Sequence, residues 1–224
     1  SETHAGKVNV LLTAAHKDVV MLRSTLVREQ GFEPLVVDVE GYALGNAIDQ
    51  FYPNKGEDER VCCINIGASV LQMCVWQSGE VMYSKEHNFG VDMLIQDLAL
   101  IHMQDRKDTE EQLITQQLPA NWETDTLPVF AANLQQQINR ALQMYMSTVH
   151  ADRPDRILIC GAGAVMPALV DTLQQDLGID VDIFNPFTQI KLGDKVNEEQ
   201  VNQLAPMMVI AAGLASRGFS SWHM

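Results

Sequence analysis

The sequence is short of positive charge, aromatic residues and cysteine, and it contains no long apolar run. Each shortage removes a class of function. Fifteen Lys and Arg stand against 29 Asp and Glu, and the formal net charge of -14 repels a nucleic-acid backbone and an anionic membrane surface alike. Neither is an expected partner. The longest nearly apolar stretch, Ile157 to Leu169, is interrupted by Pro167 and falls short of the roughly 20 residues that a bilayer span requires. No direct membrane insertion is predicted. The stretch Ser1 to Lys7 is polar and lacks the pattern of a secretory leader, so a cytoplasmic location is expected. The four cysteines, Cys62, Cys63, Cys74 and Cys160, form no CxxC pair and have no histidine at ligand spacing. All lie in strand-like apolar runs, which predicts buried, reduced thiols with no zinc and no disulfide. GxSxG, P-loop and HExxH patterns are missing too, and the six histidines are scattered.

What is present is a globular pattern. With 224 residues and 46% hydrophobic content, the chain can bury one large core or two small ones. Val8 to Ala15 reads as a strand, Asp18 to Gln30 as a helix stopped by Gly31, Leu35 to Val39 as a strand, and Tyr42 to Phe51 as a helix. Pro53 to Arg60 is polar and turn-rich, where a domain boundary fits. Val61 to Ile66, Val70 to Gln77 and Glu80 to His87 follow as a strand meander, with Ser78-Gly79 as a two-residue turn. Helical spacing then predicts Met93 to Met103, part of Thr109 to Gln117, and a long helix over Val129 to His150. Arg156 to Cys160 reads as a buried strand and Pro167 to Leu177 as a helix. Ile179 to Phe184 is a strand, and Pro206 to Arg217 is an apolar helix rich in small residues.

Two turns are candidates for ligand contact. Strand Val61 to Ile66 runs into Asn65-Ile66-Gly67-Ala68-Ser69, where a Gly between small residues lets backbone N–H groups approach an anion and Ser69 adds a hydroxyl. The same pattern serves an ordinary hairpin. Strand Ile157 to Cys160 runs into Gly161-Ala162-Gly163-Ala164 before a helix, an arrangement that admits a flat ligand against the backbone or simply a tight packing turn. The third glycine and downstream acid of a dinucleotide fingerprint are missing. Asp38 and Glu40 could form an acid pair, or only a strand end and a helix-start carboxylate.

Taken together, Val10 to Ala15, the block Gly31 to Glu40 with Tyr42-Ala43-Leu44, Ile64 to Ser69, Phe89-Gly90, Asn185-Pro186-Phe187 and Gly213 to Phe219 resemble the PilM family of type IV pilus proteins. The resemblance runs from about Val8 to Phe219. It implies an α/β, actin-like fold related to the cell-division protein FtsA, a mixed sheet with packed helices and a nucleotide held between two lobes. It further implies that Asn65, Gly67, Ala68 and Ser69 belong to the second phosphate hairpin, and that Gly161, Ala162, Gly163 and Ala164 form the adenosine turn. ATP with Mg²⁺ is the implied ligand, and the N-terminal cytoplasmic peptide of PilN is the implied partner, alongside other platform and motor proteins under the inner membrane. Family members usually open with a further phosphate hairpin, so the chain is expected to lack the N-terminal part of the first lobe. Residues 1–56 would be a remnant of that lobe, and residues 57–224 the second lobe, with 104–150 as its helical subdomain.

Two departures from the family pattern bear on chemistry. Asn65 stands where the hairpin usually carries an aspartate that could orient hydrated Mg²⁺, while Ala162 and Val91 stand where glycines are usual. The expected role is therefore a non-catalytic assembly scaffold, with ATP as a structural ligand of full-length relatives and weak or no nucleotide binding by this chain. The alternative is an actin-like ATPase or small-molecule kinase. A filament former is compatible with the fold but has no sequence feature of its own.

Overall fold

A computed structural model describes residues 12–219 apart from 54, 116, 120, 167 and 168. Five strands form one sheet: β1 (Val61–Ile66), β2 (Leu71–Gln77), β3 (Glu80–His87), β4 (Arg156–Cys160) and β5 (Asp180–Ile183). Their order is β3-β2-β1-β4-β5. β1 pairs antiparallel with β2 and parallel with β4, β2 pairs antiparallel with β3, and β4 pairs parallel with β5. The sequence of β1, VCCINI, is apolar on both sides because helices cover both of its faces. β3 lies at the sheet edge, and its exposed Glu80, Ser84, Lys85 and Glu86 keep that edge polar. Ser78 and Gly79 both have positive φ, 51° and 85°, which gives the turn between β2 and β3 the twist a tight hairpin requires.

Nine helices are described: α1 (Lys17–Glu29), α2 (Glu40–Phe51), α3 (Val91–His102), α4 (Arg106–Ile114), α5 (Trp122–Asp125), α6 (Leu127–Val149), α7 (Leu169–Leu177), α8 (Glu198–Leu204) and α9 (Val209–Ser216). Strand alternation sends Cys62, Ile64, Ile66, Ile157 and Ile159 into one core with Leu94 and Leu98 of α3, Leu134, Ile138 and Leu142 of α6, and Leu173 of α7. Val61, Cys63, Leu158 and Cys160 enter the other core, against Leu44, Ala47 and Ile48 of α2 and Val209 of α9. The result is a sheet between two helical layers. α6 follows the predicted spacing closely: Phe130, Leu134, Ile138, Ala141, Leu142 and Tyr145 are all buried. Each such side chain gains roughly 1.5 to 3 kcal/mol on burial, which fixes which face of the helix meets the sheet.

The chain divides into two compact units, residues up to Asp38 and residues from Val39 onward. In the first, α1 forms as predicted, with Gly31 in the left-handed region at φ 82° after its last turn. Leu35 to Val39 differs from expectation. Residues 33–39 carry no regular secondary structure, although a β-branched run favours extended backbone. Of the strand expected over Val8 to Ala15, residues 8–11 lie outside the described residues, and residues 12–15 have no regular structure. In the second unit, α2 packs on the sheet, so the segment 53–60 connects two elements of one body. It is tied down there: Gln77 donates to the Asp58 carbonyl at 3.1 Å, Ser78 to the Glu57 carbonyl at 2.9 Å, and the Asp155 amide to the Arg60 carbonyl at 2.9 Å. α8 was not anticipated, although Asn197, three residues before Gln200, marks its start. The Asn197 side chain accepts from the Gln200 amide at 3.1 Å.

Candidate functional site

Asn65 and Cys160 are register partners at the carboxyl ends of the parallel strands β1 and β4. Both candidate turns therefore leave the sheet side by side at one edge, the edge where α/β sheets present their ligand sites. The first turn closes through the Gly67 amide, which donates to the Val70 carbonyl at 3.0 Å. Ala68 and Ser69 are exposed at its tip, and Asn65 and Gly67 are partly buried. The amides of Ala68 and Ser69 donate to no acceptor among the described residues.

The second turn begins at Gly161, whose φ of 85° favours glycine. A Cβ at that position would lie 2.4 Å from Asn65 Oδ1 and 2.6 Å from the Ile66 carbonyl oxygen. The bare Cα is thus what lets the two turns touch. The Gly161 amide donates to the Pro206 carbonyl at 2.8 Å, and the Cys160 thiol donates to Asn65 Oδ1 at 3.7 Å. Residues Ala162–Val165 then form a single 3-10 turn, and α7 starts at Leu169; Pro167, expected to open that helix, lies outside the described residues. Gly163 is buried with its Cα facing the Ile66 side chain, where a Cβ would meet Ile66 at 2.4 Å. Ala164 is buried and Ala162 partly so. Among the eight proposed contact residues, Gly161 and Gly163 lie where the two turns pack, Ala164 is buried in the core, and Ala68 and Ser69 are exposed.

A neighbouring group joins the first turn. The Val91 amide donates to the Gly67 carbonyl at 3.0 Å, and the Asp92 amide to the Ala68 carbonyl at 2.8 Å. Gly90 makes this approach possible, since a Cβ there would lie 2.1 Å from the Ala68 carbonyl oxygen. The Ser69 hydroxyl donates to Asp92 Oδ2 at 2.5 Å, and Arg106 of α4 holds Asp92 Oδ1 at 2.6 Å. The Ser69 hydrogen bond and the Arg106 charge hold the Asp92 carboxyl below the usual carboxylate range, against the opposing pull of burial. Neither Asp92 nor Arg106 was singled out from the sequence. An Asp in the first turn of a helix after glycine was the available signal.

Chemically, the free tip amides and the Ser69 hydroxyl fit a phosphate group. Neither Asn65 nor Asp92 offers a cation an unengaged carboxylate. Asn65 is neutral and engaged with Cys160, Asp92 is paired with Arg106, and the described residues contain no group of three or more His, Cys, Asp or Glu arranged for a metal. The four cysteines are buried. Burial pushes the thiols of Cys62 and Cys74 up, and the hydrogen bond with Cys160, together with burial, does the same to Cys63, which keeps them protonated and unreactive. No helix among the described residues is long and apolar enough to cross a membrane.

The solved PilM-PilN type IV pilus biogenesis complex contains a chain that superposes with a TM-score of 0.78 at 21% identity, covering 92% of this chain and 59% of that one. EutJ, an ethanolamine utilization protein from Carboxydothermus hydrogenoformans, gives 0.60 at 14% identity, covering 86% of this chain and 59% of that one. MreB5 of Spiroplasma citri, solved with AMPPNP, gives 0.58 at 10% identity, covering 91% and 65%. The common fold is actin-like, and this chain spans about three-fifths of the length of the first two proteins. A family model described as type IV pilus assembly protein PilM matches residues 1–219. With that match running along almost the entire sequence, the chain belongs to the PilM family of type IV pilus assembly proteins.

Proposed function

We propose that this chain is part of a scaffold of the type IV pilus inner-membrane platform and that it engages the N-terminal cytoplasmic peptide of PilN. Through PilN and other platform and motor proteins it is held at the cytoplasmic face of the inner membrane. The observation that carries this reading is the family match over residues 1–219, supported by the fold likeness to a chain of a PilM-PilN complex. In this reading ATP is a structural ligand that the protein does not hydrolyse.

The site's chemistry favours a scaffold over an ATPase or kinase, a choice that fold alone leaves open. Metal-assisted phosphoryl transfer needs charge placed to orient the ion and the attacking group, and a missing general base alone typically removes about 10² to 10⁴ in rate. Asn65 brings no charge, and its side chain is occupied in the junction with Cys160 and Gly161.

The test uses a fluorescently labelled PilN N-terminal peptide titrated with the complete gene product and, separately, with the 224-residue chain. Saturable binding by the complete product is expected, together with phosphate release from Mg-ATP no faster than a blank. No peptide binding by either protein would overturn the scaffold reading, and steady turnover of ATP would favour the ATPase.

A further inference from the structure

We propose that the Asp92 carboxylate is a built-in competitor for phosphate at the tip of the first turn, so that an anion binds there only by displacing it. The inference rests on the reading of Asn65 to Ser69 as a phosphate hairpin.

Three observations carry it. Ser69 offers a hydroxyl at the tip, and Asp92 Oδ2 already takes it at 2.5 Å. A carboxylate oxygen and a phosphate oxygen make the same demand on a hydroxyl donor, and two anions do not share one small site. Second, the Asp92 side chain is not what docks the hairpin on α3. That task falls to backbone bonds, Val91 to Gly67 and Asp92 to Ala68, and to the close approach at Gly90. The carboxylate can therefore rotate out while the hairpin stays seated. Third, Arg106 holds the other oxygen of the same carboxylate, 2.6 Å from Oδ1, and is more than half exposed. Displacing Asp92 releases this guanidinium at the same place where phosphate charge arrives, and Arg is well suited to bidentate phosphate contact.

The exchange makes Asp92 a specificity-determining residue. A small anion that can take only the Ser69 hydroxyl gains too little to displace the ion pair, whereas a polyphosphate is large enough to take the Ser69 hydroxyl, the tip amides and Arg106 together. Asp92 would thereby keep the hairpin closed to inorganic phosphate and carboxylate metabolites.

The experiment titrates the 224-residue chain with inorganic tripolyphosphate by calorimetry, in wild type, Asp92→Asn and Asp92→Ser. Serine keeps a good helix-start residue if asparagine disturbs the fold, and melting curves report on folding. Both variants should bind at least about tenfold more tightly than wild type, the scale of one charge-assisted hydrogen bond no longer given to a competitor. Ser69→Ala added to either variant should cancel the gain. The proposal is overturned by an unchanged or weakened affinity in the variants, by a gain that survives Ser69→Ala, or by loss of cooperative melting in both, which would make Asp92 a structural residue. The two readings separate cleanly: intact PilN-peptide binding without the affinity gain removes only the Asp92 proposal, and the gain without peptide binding removes only the scaffold.

Discussion

Gly79 and Gly161 have the same φ of 85° and opposite surroundings. A Cβ at Gly79 would meet nothing within 4 Å, whereas one at Gly161 would press on Asn65 Oδ1 and the Ile66 carbonyl. The pair separates backbone strain from packing. Gly79→Ala should cost about 1 to 2 kcal/mol from the left-handed conformation alone. Gly161→Ala should cost roughly 3 kcal/mol or more, because the clash between the turns adds to that strain. At roughly 2 to 4 °C per kcal/mol for a chain of this size, thermal melting resolves the two. Equal losses would mean that the two turns are not in contact. The sequence marked Gly161 as a turn residue, but its reason for being glycine is Asn65, a residue far away in the chain.

At the scale of elements, α2 and α9 cross unusually closely. A Cβ at Gly213 of α9 would lie 1.9 Å from the Ala43 carbonyl oxygen of α2, so the small residues of VIAAGLAS are what allow the two helices to meet. Gly213→Ala should destabilise by about 1 to 3 kcal/mol through overpacking, despite alanine's better helix propensity. Gly218→Ala, with nothing within 4 Å, should stay within about 0.5 kcal/mol of wild type. Denaturant titration of the two variants checks both numbers, and a neutral Gly213→Ala would show that the helices can part without cost. Elements with a strong period were legible in advance: β1, β3 and α6 fall within two residues of their predicted ranges. α8 escaped notice because it is short, polar and has no buried residue, leaving only its cap as a signal.

The whole molecule divides at Asp38 and Val39, before α2, whereas composition pointed to 53–60. Polar, turn-rich sequence marks a surface connection but does not say whether the elements on either side share a core, and here they do. Thermolysin, which cuts before large apolar residues, should therefore cleave first at Leu35 to Val37, where the chain is exposed and carries no regular secondary structure, and leave a resistant product that begins just before α2. First cleavage within 53–60 would contradict the division seen in the structure. Local chemistry by itself determined the five strands of the sheet and the strongly periodic helices, the burial of the cysteines and the positions of both turns, since period, glycine and β-branching act over a few residues. Tertiary structure alone decided that α2 joins the sheet, that the turns of β1 and β4 touch, and that Asp92 and Arg106 close on Ser69. Those facts depend on strand order. The Cys160 to Asn65 contact spans 95 residues, and no periodicity within either segment encodes which distant strand will lie beside it.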